Sequence, residues 1–258
     1  MIRPEAESPV EGMPGAVALV TGGGTGIGAA TARLLARRGL EVVIVGRRAD
    51  LLAEVAAGSD AITAIAADLG EPDVPGRVVA EVTGRLGRLD VLVNCAAVIR
   101  THPIGEYTLA EIDQHLDVNI RAPFLLTQEA LPALKAAPNA SIVNISSSSG
   151  TIVRPTQSLY GLTKAALEYF TRSMAGELAP AGIRVNGIAP GPIDTPIHET
   201  WADDLDEAYR WLASQVPLGR IGDAREIANW VWLLASPVAA FVTGVVIPVD
   251  GGQALDTV

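Results

Sequence analysis

Tyr160 and Lys164 open a helical pattern that continues through Tyr169 and Met174. Residues four apart on a helix share a face, so a phenol and an ammonium lie close together. Such a pair can move a proton. A free tyrosine has a pKa of about 10, and bringing it to about 7 takes roughly 4 kcal/mol of preferential stabilisation of the phenolate. An adjacent Lys⁺ acts in that direction, which would let Tyr160 exchange a proton with a substrate oxygen near neutral pH. Taken alone, the same spacing also describes an ordinary solvated helix face. Upstream, Ser146 to Ser149 put four hydroxyls at the end of a β-rich run that starts at Ser141.

A second motif indicates what the pair would work on. Thr21 to Gly28 reads Thr-Gly-Gly-Gly-Thr-Gly-Ile-Gly, after the apolar run Ala16 to Val20 and before a helical pattern from Ala29 to Arg38. A buried strand that turns through glycines into a helix N-terminus presents backbone N–H groups and a positive dipole end, which suits a pyrophosphate. Without those flanks the glycines would be only a flexible turn. Gly22, Thr25, Gly26, Ile27 and Gly28 are therefore candidate contacts to a dinucleotide. The positive ring of an oxidised nicotinamide would help Lys164 to lower the tyrosine. An NAD site commonly has an acidic residue about twenty positions on, holding both ribose hydroxyls. Here the second strand ends at Gly46, and Arg47 and Arg48 follow. A carboxylate would repel a 2′-phosphate, whereas a guanidinium pairs with it bidentately. NADP(H) is favoured and NAD(H) remains possible, the alternative for the two arginines being simple solvation.

The elements that must hold these groups alternate along the chain. Ala16 to Thr21, Glu41 to Gly46, Ala61 to Ala66, Leu89 to Asn94, Ser141 to Ser146, Gly182 to Ala189 and Phe241 to Val249 read as strands, with helical patterns between them. The pattern predicts an α/β, doubly wound Rossmann fold. A mostly parallel seven-stranded sheet would carry helices on both faces and its site at the C-terminal strand ends. No linker, repeat or low-complexity block divides the 258 residues, and 49% of them are hydrophobic, so one domain over 1–258 is expected, with 1–14 a flexible extension. From Thr195 to Val216, Trp201, Leu205, Ala208 and Leu212 recur at helical spacing, with Asp203, Asp204 and Glu207 facing water. This segment, 195–216, reads as a substrate lid, or else as a helix that fills the domain's edge.

Composition excludes other classes. A net charge of −10 disfavours nucleic acid and anionic membranes as partners. No apolar stretch is long enough to span a bilayer, the first residues carry Glu5, Glu7 and Glu11, and Cys95 is the one cysteine, so a cytoplasmic location is expected. Cys95 itself reads as a small buried residue at a strand end. His102, His115 and His198 are not at metal-ligand spacing, and no catalytic metal is expected. His102, past the fourth strand, either borders a substrate pocket or is inert surface.

Ser147, Tyr160 and Lys164, with the glycine turn, resemble the signature of the short-chain dehydrogenase/reductase family in its compact single-domain branch. Asn94-Cys95-Ala96-Ala97 is similar to the family's Asn-Asn-Ala-Gly, with Cys95 and Ala97 departing from it. Asn119 in Asp117-Val118-Asn119-Ile120 matches the family's catalytic asparagine, Pro190 to Thr195 its Pro-Gly segment, and Val249 to Gly252 its C-terminal end. The family places its serine thirteen residues before the tyrosine. That selects Ser147 to orient substrate and stabilise developing charge, and leaves Ser148 as strand termination. Lys164 would also position the ribose. Asn119 has a physical hint of its own: Pro123, four residues later, has no N–H, so the Asn119 carbonyl loses its usual donor and is free to hold a water in a proton relay.

The resemblance further implies that Asp68 contacts the adenine and that Ile193 and Thr195 meet the nicotinamide carboxamide and the nearby phosphate. It also implies that Leu69, Asn94, Ala96, Pro190 and Gly191 lie at the cofactor, with Tyr160 and Lys164. It implies a hydride-transferring oxidoreductase acting on a small-molecule carbonyl or secondary alcohol. It also implies a homotetramer packed through the helices that carry Asn119 and Tyr160. A non-catalytic dinucleotide-binding scaffold or sensor is the alternative, and a methyltransferase would share only the glycine turn.

Overall fold

The structure is a computed structural model that describes residues 12–200 and 204–255. Its strands are β1 (Val17–Thr21), β2 (Glu41–Gly46), β3 (Ile62–Ala66), β4 (Val91–Asn94), β5 (Ser141–Ile145), β6 (Arg184–Pro190), β7 (Ile193–Asp194), β8 (Gly222–Asp223) and β9 (Val246–Val249). The main helices are α1 (Gly26–Arg37), α2 (Ala49–Ala56), α3 (Val74–Leu86), α4 (Leu109–Leu116), α5 (Ala122–Ala136), α6 (Ser158–Leu178), α7 (Leu205–Ser214) and α8 (Ala224–Ala235). Seven strands form one parallel sheet in the order β3-β2-β1-β4-β5-β6-β9, and β7 pairs with β8 in a separate short ladder.

Both faces of the sheet are covered, which explains why its strands are apolar at successive positions rather than alternating with polar ones. Alternate residues of β1 go to opposite cores. Ala18 and Val20 join Leu35, Ile44, Ile227 and Val231 on the side of α1 and α8. Val17 and Leu19 join Val82, Leu92, Leu126 and Leu134 on the side of α3 and α5. The order reverses between β1 and β4, where the chain leaves the sheet edge at β3 and returns on the other side. At such a switch point the flanking loops diverge and open a crevice at the C-terminal strand ends.

The predicted strands are all present, with ends moved by local backbone chemistry. β6 starts at Arg184 rather than Gly182, because Gly182 takes a left-handed φ of 76°. The run from Phe241 pairs only from Val246, since Gly244 turns at φ 79° and Phe241 is exposed. α1 starts at Gly26, three residues before the predicted start, so the N-terminal amides lie inside the glycine motif. Of the segment 1–14, residues 1–11 lie outside the described residues, while Met13 is buried and its N–H donates to the Arg38 carbonyl at 2.9 Å. No helix among the described residues is long and apolar enough to cross a membrane.

The turn from β1 into α1 depends on one close approach. A Cβ at Gly28 would run into the Gly22 carbonyl oxygen, which is backbone and cannot step aside, whereas a Cβ at Gly24 meets nothing nearer than 3.5 Å. Gly28→Ala is expected to lower Tm by roughly 5–10 °C and Gly24→Ala to leave it near wild type. Differential scanning calorimetry of the two variants checks this, and equal melting temperatures would contradict the close approach.

Candidate active site

A cleft of about 410 Å³ opens at the switch point. Its walls include Gly22, Thr25, Gly26, Ile27 and Gly28, the arginines Arg47 and Arg48, Asp68 and Leu69, Cys95 and Ala96, and Thr195. These are candidates named from sequence, together with Cys95. Thr21 ties the two sides of the crevice together: its Oγ1 accepts from the N–H groups of Cys95 at 2.8 Å and Ala96 at 2.9 Å. The β1 terminus thereby fixes the loop after β4. α1 carries no acidic residue in its first turn, so its positive end is not neutralised. Thr195 stands opposite, and a Cβ on Gly26 would come within 2.9 Å of its methyl. Arg48 Nη2 donates to Thr25 Oγ1 at 3.2 Å, which brings a second positive group to the same helix end.

A glycine-lined helix N-terminus, free of acids and flanked by two exposed guanidinium groups, fits the pyrophosphate and phosphate groups of a nicotinamide dinucleotide. Asn94, Pro190, Gly191 and Ile193 do not line the cleft. Asn94 is buried and donates from Nδ2 to Asn144 Oδ1 at 2.8 Å, and Asn144 donates in turn to Thr171 Oγ1 at 2.9 Å. Asn94 thus holds β4 to β5 and α6, and its own Oδ1 is buried without a partner. Gly191 closes β6 onto β9 by donating to the Val249 carbonyl at 3.1 Å.

The candidate proton-moving residues lie beside Cys95. α6 places Tyr160 and Lys164 one turn apart, with Lys164 Nζ 5.5 Å from the centre of the Tyr160 ring. The Ser147 hydroxyl lies beside the Tyr160 phenol and acts to lower its pKa. Lys164 is 2% exposed, and its ammonium donates to the Ile145 carbonyl at 2.9 Å. Burial raises the Tyr160 phenol to about 12 against the pull of the Ser147 hydroxyl, and lowers Lys164 to about 8. The sequence expectation was a lowered tyrosine. The difference is desolvation, which disfavours the phenolate and the ammonium alike and here outweighs what the spacing alone offers. Burial likewise pushes the Cys95 thiol up to about 11, which keeps it neutral at physiological pH.

The four serines have four separate partners. Ser146 donates to Glu168 Oε1 at 3.0 Å and to the Lys164 carbonyl at 3.2 Å. Ser147 lies beside Tyr160 and accepts from the Ser149 N–H at 3.2 Å. Ser148 donates to Gln253 Oε1 at 3.0 Å and Ser149 to Gln157 Oε1 at 2.9 Å. Ser148 is therefore more than a strand terminator, which the sequence did not show.

Asn119 sits in a π-helical turn, Asp117–Arg121, between α4 and α5. There the Ala122 N–H reaches back to the Asp117 carbonyl, and the helix accommodates Pro123 by this wider turn. The Asn119 side chain pairs with both backbone groups of Val98, accepting at 2.8 Å and donating at 2.9 Å, and also donates to Thr163 Oγ1 at 3.1 Å. It thus fixes the loop after β4 against α6. His102 is likewise not idle. Its ring meets Glu111 at 3.1 Å, and its backbone N–H donates to the Thr156 carbonyl at 3.0 Å, tying the loop after β4 to the loop before Tyr160. Thr156 holds a left-handed φ of 65°, and its carbonyl also accepts from the Tyr107 hydroxyl at 2.7 Å. In the segment 195–216, α7 buries Ala208 and Leu212 while Asp204 and Glu207 face water; Trp201 and Asp203 lie outside the described residues. Tyr209 donates to Asp194 at 2.8 Å, which anchors the helix to β7.

Comparison with known proteins agrees with this geometry. A family model described as enoyl-(acyl carrier protein) reductase matches residues 22–254. The chain is 37% identical over 245 residues to the 3-oxoacyl-[acyl-carrier-protein] reductase FabG of Thermotoga maritima, covering 93% of this chain and 98% of that protein. It is 36% identical over 245 residues to the 2,5-dichloro-2,5-cyclohexadiene-1,4-diol dehydrogenase LinX of Sphingobium indicum, covering 93% and 96%. Among solved structures, the 3-ketoacyl-(acyl-carrier-protein) reductase of Brucella melitensis complexed with NADH superposes with a TM-score of 0.89 at 31% identity, covering 94% of this chain and 99% of that one. A glycine-lined cleft with a Ser, Tyr and Lys cluster beside it, a family model over residues 22–254 and similarity across 93% of the chain to such relatives make the chain a member of the short-chain dehydrogenase/reductase family of oxidoreductases.

Proposed function

We propose that the protein is an NADP(H)-dependent oxidoreductase that transfers a hydride between the nicotinamide and a carbonyl or secondary alcohol, with Tyr160 as general acid/base. The observation that carries this reading is the Tyr160 phenol one turn of α6 from the buried Lys164 ammonium, with Ser147 beside it and Cys95 leading to the cleft. When bound, the cofactor supplies the hydride chemistry. The protein's part is to hold the reacting oxygen and move its proton. Ser147 and Tyr160 would both hydrogen-bond a substrate carbonyl oxygen, so that negative charge developing there meets two donors. Tyr160 gives up its proton in reduction and accepts it in oxidation. Lys164 favours the phenolate electrostatically and reaches the ribose, and the Asn119 carbonyl, denied a donor by Pro123, holds a water that relays the proton.

Arg47 and Arg48 support NADP(H) over NAD(H), because both are exposed at the end of β2 and both line the cleft. In the same reading Asp68 and Leu69 meet the adenine, and Asn94, Pro190, Gly191 and Ile193 shape the nicotinamide end from behind. The substrate class stays at carbonyl or alcohol, since the relatives' names span acyl-carrier-bound ketones and a cyclic diol. A cytoplasmic homotetramer fits the outer faces of α5 and α6, where Phe124 stacks on Phe170 and Leu162 and Tyr169 are exposed. Residues 195–216 would act as a lid that closes over substrate and excludes water.

A panel of ketones and secondary alcohols, followed by the absorbance of reduced nicotinamide, tests the activity itself. Tyr160→Phe should cut kcat by about a hundredfold or more while cofactor affinity is retained, because it deletes the transferable proton and keeps the ring. A variant with a tenth of wild-type activity would sink the acid/base assignment. Arg47→Asp should move the ratio of kcat/KM for the two cofactors toward NAD(H), and further than Arg47→Ala does, since it both removes a phosphate partner and adds a repelling charge. An unchanged ratio would make Arg47 merely solvated. Amide exchange across 195–216 is expected to be faster than in the central strands and to slow with NADP⁺. Protection equal to that of β1 with no response to ligand would end the lid reading.

A further inference from the structure

The Ser148–Gln253 hydrogen bond joins two segments 105 residues apart, and one of its ends is next to the serine that meets Tyr160. Ser148 is 6% exposed. An amide has two polar ends, and the second end of Gln253 is buried without a partner. Burying an amide half-satisfied is unfavourable, so packing alone gives no reason for a glutamine here. The turn that carries Gln253 is also tightly built. Asp250 accepts from the N–H groups of Gly252 at 2.9 Å and Ala254 at 2.8 Å, and the Gln253 N–H donates to the Asp250 carbonyl at 3.2 Å. Its outer side meets the chain just beyond the 195–216 segment, where the Leu218 N–H donates to the Gly251 carbonyl at 3.1 Å. A Cβ on Gly191 would approach the Asp250 Cα to 2.8 Å, so the Pro-Gly segment packs directly on the same turn.

Ser147 is the N-cap of a single 3-10 turn, Ser148–Gly150. The backbone of that turn packs on α6, where a Cβ on Gly161 would come within 2.6 Å of the Ser149 carbonyl oxygen. Two of its side chains fasten it further: Ser149 to Gln157, three residues before Tyr160, and Ser148 to Gln253. One fastening ties the turn to α6, and the other ties it to the C-terminal turn. We propose that Gln253 is a positioning residue for catalysis, which through Ser148 fixes the serine turn so that the Ser147 hydroxyl stays aligned on Tyr160. The role passes through another residue, and Gln253 itself need not touch substrate. It rests on the reading of Tyr160 as acid/base.

Ser147 beside the phenol opposes the rise of the Tyr160 pKa, so loosening the turn lets burial act with less opposition. In the oxidation direction Tyr160 must accept a proton, and the ascending limb of kcat against pH then shifts to higher pH. Lys164 and Cys95 are the other titratable groups near the phenol; the Lys164 ammonium donates to the Ile145 carbonyl, and Ser148 and Gln253 bond each other instead.

The test compares Gln253→Ala, Ser148→Ala, the double variant and Ser148→Thr, which keeps the hydroxyl. The protein has four tyrosines, so the ring-carbon NMR signal of Tyr160 in ¹³C-tyrosine-labelled full-length protein can be assigned by its loss in Tyr160→Phe. Each alanine variant should displace that signal, with no further change in the double variant and recovery in Ser148→Thr. With NADP⁺ and the most active secondary alcohol of the panel, kcat should fall about tenfold in each alanine variant, while KM for NADP⁺ stays within about twofold. The double variant should be no slower than either single one. A Tyr160 signal that stays in place in both alanine variants overturns the proposal, as do losses that simply add. The acid/base reading fails separately, through an active Tyr160→Phe.

Discussion

The site is organised around an ammonium taken out of water. Among the described residues no carboxylate pairs with Lys164, and its Nζ rests on the Ile145 carbonyl. A fall from 10.5 to about 8 corresponds to roughly 3 kcal/mol against the charged form. Glu168, one turn further along α6, is turned toward Ser146 and Arg172 instead, and burial raises its own pKa. A well-packed apolar side chain at position 164 would suit the fold at least as well. What the fold obtains instead is a donor and a charge held at one point, between the end of β5 and the ring of Tyr160. The surrounding features follow from that choice: serines at the end of β5 that fasten α6 from several sides, Asn119 and Thr163 holding the adjacent loop, and a neutral thiol rather than a second charge at Cys95.

Much of this was legible in the chain, for a physical reason. A glycine turn between a buried strand and a helix, a Tyr and Lys four apart, and β-rich runs at regular intervals are local patterns whose geometry is set within a few residues. The hidden parts join distant segments. Asn144 reaches Asn94 across 50 residues and Thr171 across 27, and nothing nearby requires an asparagine in the middle of β5. A polar residue inside an otherwise apolar strand was the one visible sign. The wide turn at Asn119 was half legible, because Pro123 announced a missing donor but not how the helix would absorb it. For the protein alone, burial raises the Tyr160 phenol, and spacing reports charge but says nothing of burial.

The loops on the substrate side show the same division. His102 read as a lone histidine, yet its neighbours Tyr107, Glu111 and Thr156 make it part of a clasp between the loop after β4 and the loop before Tyr160. That clasp relies on a left-handed threonine, a costly conformation for a β-branched residue. Strain of this kind persists where several contacts over-determine the backbone, and here the Thr156 carbonyl serves two donors at once.

The cleft has no local origin. Its walls come from the β1–α1 turn, the ends of β2 and β3, the loop after β4, Val118 and the segment after β7. No fragment of the fold contains it, so a nucleotide that enters binds only the finished protein and none of its partly folded forms. Binding of that kind adds directly to the free energy of unfolding, by about 2.7 kcal/mol at a hundredfold excess over Kd. If the cleft is a nucleotide site as proposed, the size of the cell's nucleotide pool would act on how long each copy of the protein lasts, because a chain with less ligand would open more often to proteases.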